Sequence, residues 1–370
     1  MVEQLYHNPD IYRIYVPLPD NPLKYLNCYV LISDGETLII DTGFNRPECK
    51  QALFDGLDEL QVDFAHTKLF LTHLHGDHSG LTEELTVRGV PVFMNAIDYN
   101  YLCQELASGG WQAMEQIFLS EGFPIEEIEK QKKGNQARLY SPHHPFPASK
   151  VSDNDLLTVG GIPLRCIHTP GHTPGHTCFY IEEKEILFSG DHILFDITPN
   201  ISVWRNVPFS LADYLESLQK IKYLKVSHTF PGHREFHGDI HDRINALTLH
   251  HHARLKEILD AIDHHPDCTA YETAGRISWS ARGRAWEDFS PNQKWFAMGE
   301  TLAHIKRLSD RGAISSTRPL SLNTPNNTLN IPTAKTAENR YRALCHSSDL
   351  FFYSRRFSDD DFCEHITHYA

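Results

Sequence analysis

Nowhere in its 370 residues does the sequence hold an apolar run long enough to cross a bilayer, so no membrane-embedded protein is expected. Met1 to Asp20 offers no basic segment followed by an apolar stretch, and a secretory leader is not expected either. Cysteine is scarce and scattered, with 8 residues and no CxxC pair. That pattern sets aside a disulfide framework and fits reduced thiols in a cytoplasm. Cys166 and Cys178 lie in apolar, strand-like runs and read as small core residues. Positive charge is short as well: 34 lysines and arginines stand against 48 aspartates and glutamates, a net charge of −14. Nucleic acid demands a basic track, so a small-molecule substrate is the favoured partner and a polyanion the disfavoured one. A local basic stripe stays open at Arg276, Arg282, Arg284 and Lys294, although such charges ordinarily form a solvated face.

What is present is a chain with 41% hydrophobic residues and enough length for a large core, as two domains or one with a large appendage. Strands are expected at Ile11–Val16, Leu26–Ile32, Leu38–Asp41, Lys68–Thr72, Val90–Met94, Pro163–His168, Thr177–Ile181, Glu185–Phe188 and Val226–Phe230. Pro47 suits the first turn of a helix with Ala52, Leu53, Leu57 and Leu60 on its apolar stripe. Strand-rich halves with interspersed helices imply an α/β protein in layers. Ile97 to about Glu129 reads as helical, and residues 97–150 form either a cap over the site or a peripheral insertion. Past His233 the texture turns helical, ending in a Ser290-Pro291-Asn292-Gln293 capping box and a buried face of Trp295, Met298, Leu302, Ile305 and Leu308. Residues 1–235 are thus expected to form one domain and 236–318 a small helical one. The tail 319–370 is expected to be poorly ordered and dispensable for folding, although Leu350 to Tyr353 could dock.

The chemistry is concentrated in Thr72-His73-Leu74-His75-Gly76-Asp77-His78-Ser79-Gly80, which follows an apolar strand. His73 and His75, two apart on extended backbone, can offer imidazoles to one ion, and Gly76 would let the chain bend so that Asp77 and His78 face a neighbouring position. Three later pieces share the strand-then-turn context: His168 to His176 with two Pro–Gly pairs, Ser189-Gly190-Asp191-His192, and Phe230-Pro231-Gly232-His233. A carboxylate at Asp191 can bridge two cations. The runs His143-His144, His250-His251-His252 and His264-His265 lack that context and read as structural or exposed.

Together these residues resemble the metallo-β-lactamase superfamily over about residues 10–235. The resemblance implies a four-layer αβ/βα sandwich with metals at the edge between two sheets. It implies that His73, His75 and His172 hold a first metal, that Asp77, His78 and His233 hold a second, and that Asp191 bridges them. Asp41, in Asp41-Thr42-Gly43, would orient a ligand from behind, and His176 would pack or hydrogen-bond nearby. His75 stands where flavodiiron oxygen reductases carry glutamate, which argues against a redox di-iron centre. The doublet from Thr169 to His176 looks like the glyoxalase II and lactonase branches, yet no basic glutathione-binding pattern is found. The 236–318 region resembles the helical, winged-helix-like extension of β-lactamase-like-protein-2-type hydrolases, some of which act on RNA.

The expected activity is hydrolysis through a metal-bridging hydroxide, with Asp77 as the catalytic residue that orients it and takes its proton. Five imidazoles and two carboxylates suit two divalent ions, zinc best, with iron or manganese fitting the same set. A small ester, thioester or lactone is the expected substrate; the alternative is a phosphodiesterase or ribonuclease acting on nucleic acid. Tyr99, Tyr101, Leu102, Trp111 and Phe118 could line an apolar pocket or belong to the core.

Overall fold

The computed structural model describes residues 1–108, 110–280, 283–318, 320, 322 and 338–344. Strands β1 (Val2–Tyr6), β2 (Asp10–Pro17), β3 (Tyr25–Ser33) and β4 (Glu36–Ile40) form an antiparallel meander. Helix α1 (Pro47–Glu59) then crosses to β5 (Thr67–Leu71), which pairs parallel to β4. Short helices α2 (Gly76–Ser79) and α3 (Thr82–Thr86) lead to β6 (Val92–Asn95). Helices α4 (Ala96–Ser108), α5 (Gly110–Ser120), α6 (Ile125–Gly134) and α7 (Gln136–Leu139) precede β7 (Ser149–Val151), which closes a 7-stranded sheet in sequence order. A second, 5-stranded sheet runs β12-β11-β10-β9-β8, from β8 (Leu156–Val159), β9 (Ile162–His168), β10 (Thr177–Ile181), β11 (Ile186–Gly190) and β12 (His228–Pro231). Helix α8 (Ser210–Lys222) lies between β11 and β12 in sequence.

Period-2 alternation sends each strand's side chains to two different cores. On β3, Tyr29 and Leu31 enter the layer between the sheets, where Phe70, Phe179, Ile181 and Phe188 meet them. Leu26, Cys28 and Val30 face the other way, onto Leu53 and Leu57 of α1. On β10, Cys178 and Tyr180 likewise point away from the inter-sheet layer, toward α8 and the C-terminal helices. Helix, sheet, sheet and helix follow one another, which is the expected four-layer sandwich.

The C-terminal region consists of α9 (Ile240–His264), α10 (Ala270–Ala274), α11 (Pro291–Asp310) and a two-stranded sheet of β13 (Ile314–Ser316) with β14 (Tyr341–Ala343). The Ser290 capping box is present, with Gln293 N–H donating to the Ser290 hydroxyl and Ser290 N–H to the Gln293 side chain. Its helices do not enclose a core of their own. Ile244, Leu255, Met298 and Leu302 share one apolar cluster with Ile167, Cys178 and Leu187 of the second sheet and with Ile117 and Phe118 of α5.

Three expectations need correction. The helix drawn through 97–129 is broken, because Gly122 adopts φ +91 and Pro124 caps the next helix; proline cannot continue the hydrogen-bond ladder. Part of the 319–370 segment is ordered: β14 pairs with β13, and Tyr341 is buried with its hydroxyl on Glu121 at 2.7 Å. Leu350 to Tyr353 lie outside the described residues. Lys294 does not belong to a solvated basic stripe, being buried against Glu127 at 3.6 Å; Arg282 lies outside the described residues.

Candidate metal centre

Every candidate ligand follows the C-terminal end of a strand. β5 delivers His73 and His75, and α2 directly carries Asp77 and His78. Gly76 is not in the left-handed region; instead, a Cβ there would come within 3.2 Å of the Ser141 backbone. Close approach, not a tight bend, is what glycine supplies. β9, β11 and β12 deliver His172, Asp191 and His233. Gly232 keeps the space between them open, since a Cβ would lie 2.5 Å from Asp191 Oδ1 and 3.0 Å from His78 Cε1.

These side chains converge in three metal-competent groups: His73 with His75 and His172, Asp77 with His78 and His233, and His73 with His78 and Asp191. Asp191 lies between the first two groups, with Oδ2 3.6 Å from His172 Nε2 and 3.5 Å from His233 Nε2, and Oδ1 3.5 Å from His78 Nε2. His73, His78 and His233 are fully buried, and His75 is half-buried.

The outer hydrogen bonds decide which nitrogen of each ring is free. His78 Nδ1 donates to Asp41 Oδ2 at 2.7 Å, His233 Nδ1 to the Tyr25 carbonyl at 2.8 Å, and His172 Nδ1 to the Asn200 carbonyl at 2.8 Å. Thr72 spends its hydroxyl proton on Asp41 Oδ2, so it accepts from His73 Nδ1 at 3.0 Å. With Nδ1 engaged behind each of these four rings, Nε2 is the nitrogen left to face inward. His78 and His233 Nε2 stand 3.2 Å apart, a spacing that a proton or a cation shared between them would stabilise. His172 Nε2 and Asp191 Oδ1 are buried without a hydrogen-bond partner. Such orphaned polar atoms are costly in a native interior, and this arrangement fits divalent cations.

The electrostatics carry the same signature. Burial, reinforced by His78 and His75, holds His73 well below the ordinary imidazole value, and burial together with His172 takes His75 down to about 3. Burial also opposes charge on His78 and His233, yet the carboxylates outweigh it: Asp41 and Asp191 raise His78 well above its ordinary value, and Asp191 and Asp77 raise His233. Burial would lift Asp77, but the His233 hydrogen bond and charge bring it to about 2.

The remaining expected residues have definite places. Asp41 sits behind the site, accepting from Thr72 N–H at 2.8 Å as well as from His78. His176 joins none of the three groups; its Nε2 accepts the Asp191 N–H at 3.1 Å and its Nδ1 meets Thr169 Oγ1 at 2.8 Å. Of the side chains proposed for a pocket, Leu102 and Phe118 are core, Trp111 packs on Trp295, and Tyr99 packs on the first-sheet cluster with its hydroxyl on the Phe146 carbonyl. Tyr101 reaches the candidate site through Trp204, meeting it edge-on, and the Trp204 indole stacks over His75 at 5.9 Å. Three contributors went unread in the sequence: Asp98, Asn200 and Trp204. Asp98 Oδ2 accepts Leu74 N–H at 3.0 Å and Thr173 Oγ1–H at 2.6 Å, and Oδ1 accepts Gly175 N–H at 2.5 Å, tying the two histidine loops together. An aspartate two residues into a helix that follows a strand is the one signal that could have drawn attention to it. Among the described residues, His251 is paired with His304 in the core at 3.1 Å, and His143 and His144 are exposed beside Glu83.

An atrochrysone carboxyl ACP thioesterase of Cryptosporiopsis sp. is 26% identical over 266 residues, which cover 71% of this chain and 65% of that protein. A beta-lactamase-like protein 2 homolog of Caenorhabditis elegans is 25% identical over 265 residues, covering 70% of this chain and 74% of the relative. The crystal structure of a metallo-beta-lactamase family protein of Thermus thermophilus superposes with a TM-score of 0.73 at 29% identity, covering 90% of this chain and 98% of that one. A beta-lactamase domain protein of Burkholderia ambifaria shares the fold, with a TM-score of 0.76 at 24% identity over 92% of this chain and 94% of its own. A sequence model of the metallo-beta-lactamase superfamily matches residues 22–233, more than half of the chain and the whole stretch from β3 to the last candidate ligand, so the chain belongs to the metallo-beta-lactamase superfamily.

Proposed function

We propose that this superfamily hydrolase works with two divalent cations, zinc by preference, and cleaves a small acyl thioester or ester. The observation that carries the reading is the pair of three-residue groups joined at Asp191. A donor set of imidazoles and carboxylates matches zinc, and manganese or iron also suit it. When bound, the cations would polarise the scissile carbonyl and lower the pKa of water toward neutrality. Asp191 lies between the two groups, whereas Asp77 belongs to one of them alone, so in this reading Asp77 orients the attacking water and receives its proton. Trp204 and, behind it, Tyr101 offer an apolar wall beside His75 for an acyl group.

Choice of substrate rests on the relatives. Two of them, of Cryptosporiopsis sp. and Emericella nidulans, are named atrochrysone carboxyl ACP thioesterase, and the chain spans 65% and 67% of their lengths. The lactone option draws on the Thr169 to His176 doublet, of which only His172 faces the cluster. The net charge of −14 and the buried Lys294 speak against nucleic acid. The six described cysteines are free thiols, as a cytoplasmic setting would have them. No helix among the described residues is long and apolar enough to cross a membrane.

The test is a rate comparison on one metal-replete preparation with measured metal content. Acyl thioesters of graded length, lactones, bis-p-nitrophenyl phosphate and single-stranded RNA would be assayed side by side. Thioester cleavage that is the fastest of these and is removed by chelation is the expected result. RNA cleavage exceeding every acyl rate would replace this reading with the phosphodiesterase.

A further inference from the structure

We propose that helix α11 is a working part of the first metal position, because it seats the segment that aims His172. The inference rests on the two-cation reading above and assigns the C-terminal helices a role that reading leaves undefined.

Residues 200–204 grip His172 at two atoms. The Asn200 carbonyl accepts Nδ1–H at 2.8 Å, and the Trp204 indole N–H donates to the His172 carbonyl at 3.2 Å. The ring's orientation is therefore set by a stretch that belongs to no named strand or helix. Such a stretch has no ladder to hold it, and its position must come from what it rests on. It rests on α11. The Asn200 amide donates to the Phe296 carbonyl at 3.3 Å and to Glu300 Oε2 at 3.4 Å. Ile201 and Val203 are buried in the cluster that includes Trp295, Met298 and Leu302. Between these anchors Gly299 faces Ser202 so closely that a Cβ would collide with the serine hydroxyl and reach 3.1 Å from its Cβ. Glu300 is braced in turn by Arg254 of α9, Nε to Oε1 at 3.3 Å.

The second position is aimed differently. His78 is oriented by Asp41, and His233 by the Tyr25 carbonyl; both partners belong to the first sheet or its edge. A disturbance at the α11 contact should therefore weaken one position and spare the other. Groups that orient metal-binding histidines typically change affinity by ten- to a hundredfold when removed.

The experiment uses the full chain, stripped of metal and titrated with Co(II) by calorimetry and visible absorption. Gly299→Ala adds the colliding methyl, and Asn200→Ala removes the amide while leaving the carbonyl. His172→Ala supplies the reference spectrum of a chain with only its second position intact. The expected result is one ion bound with wild-type affinity and one weakened on the order of ten- to a hundredfold, with a residual spectrum matching that of His172→Ala. Should Gly299→Ala fail to fold, Asn200→Ala decides. Two ions bound with wild-type affinity in a folded variant, or equal weakening of both, overturns the proposal. A wild-type chain that takes up fewer than two ions would instead remove the two-cation reading.

Discussion

Asp98 accepts three hydrogen bonds, and every donor lies on a histidine-bearing loop outside its own helix. Burial raises its pKa to about 7, against the pull of the Thr173, Gly175 and Leu74 donors. Asp98→Asn turns one acceptor into a donor that must face an N–H or hydroxyl. Leaving a buried donor unmatched costs roughly 1–3 kcal/mol, so the melting temperature should fall and metal uptake weaken; unchanged melting and uptake would show that the loops hold themselves. Asp77 makes the opposite case, since its neighbours favour its charged form. Asp77→Asn should fold normally and lower kcat by roughly 10²–10⁴, with metal affinity reduced at the second position only. A near-wild-type kcat would take Asp77 out of the chemistry.

Among the elements, β14, with Asn339 just before it, is short yet heavily engaged. Asn339 N–H donates to the Ser120 carbonyl at 2.9 Å, and Asn339 and Tyr341 both donate to the buried Glu121 at 3.1 and 2.7 Å. A chain ending after Thr317 loses these partners, so it should be clearly destabilised in thermal melts, contrary to the sequence-based expectation of a dispensable tail. Burial raises Glu121 to about 7, with Tyr341 and Asn339 pulling the other way. The folded state thus keeps a proton that the unfolded chain releases above the ordinary carboxylate value, and stability contributed here is lost as pH climbs toward 7. Glu121→Gln mimics the protonated form. Relative to wild type it should gain on the order of 2 kcal/mol in denaturant unfolding at about pH 8 and nothing near pH 4. A difference independent of pH would mean that Glu121 is charged in the fold. Elements with strong periodicity, such as β10 and α1, were legible to within a residue or two. Those that owe their existence to partners were not: β7 and β8 are edge pieces of 3 and 4 residues, and β14 forms only because β13 and Glu121 await it. Helix α8 was legible, with Leu211, Tyr214, Leu218 and Ile221 at helical spacing, and was simply not read.

For the molecule as a whole, the ligand pattern was readable because its residues cluster at strand ends, where spacing and turn chemistry betray them. The residues behind the ligands were hidden because they come from far along the chain: Asp98 meets Gly175, Asn27 meets Pro231, and Asn200 meets Glu300. Each of the three metal-competent groups draws from both sheets. His73, His75, Asp77 and His78 follow a strand of the first, while His172, Asp191 and His233 follow strands of the second. Bound cations would therefore rivet one half of the sandwich to the other, across a seam that no disulfide among the described residues crosses. Because such ions bind only the closed arrangement, they add to its stability by mass action. Chelation should lower the melting temperature and, before any global unfolding, speed hydrogen exchange at the amides of 72–80 and 171–177 while the strand interiors stay protected. Uniform exchange with and without chelator would mean that the two halves are riveted by their apolar layer alone.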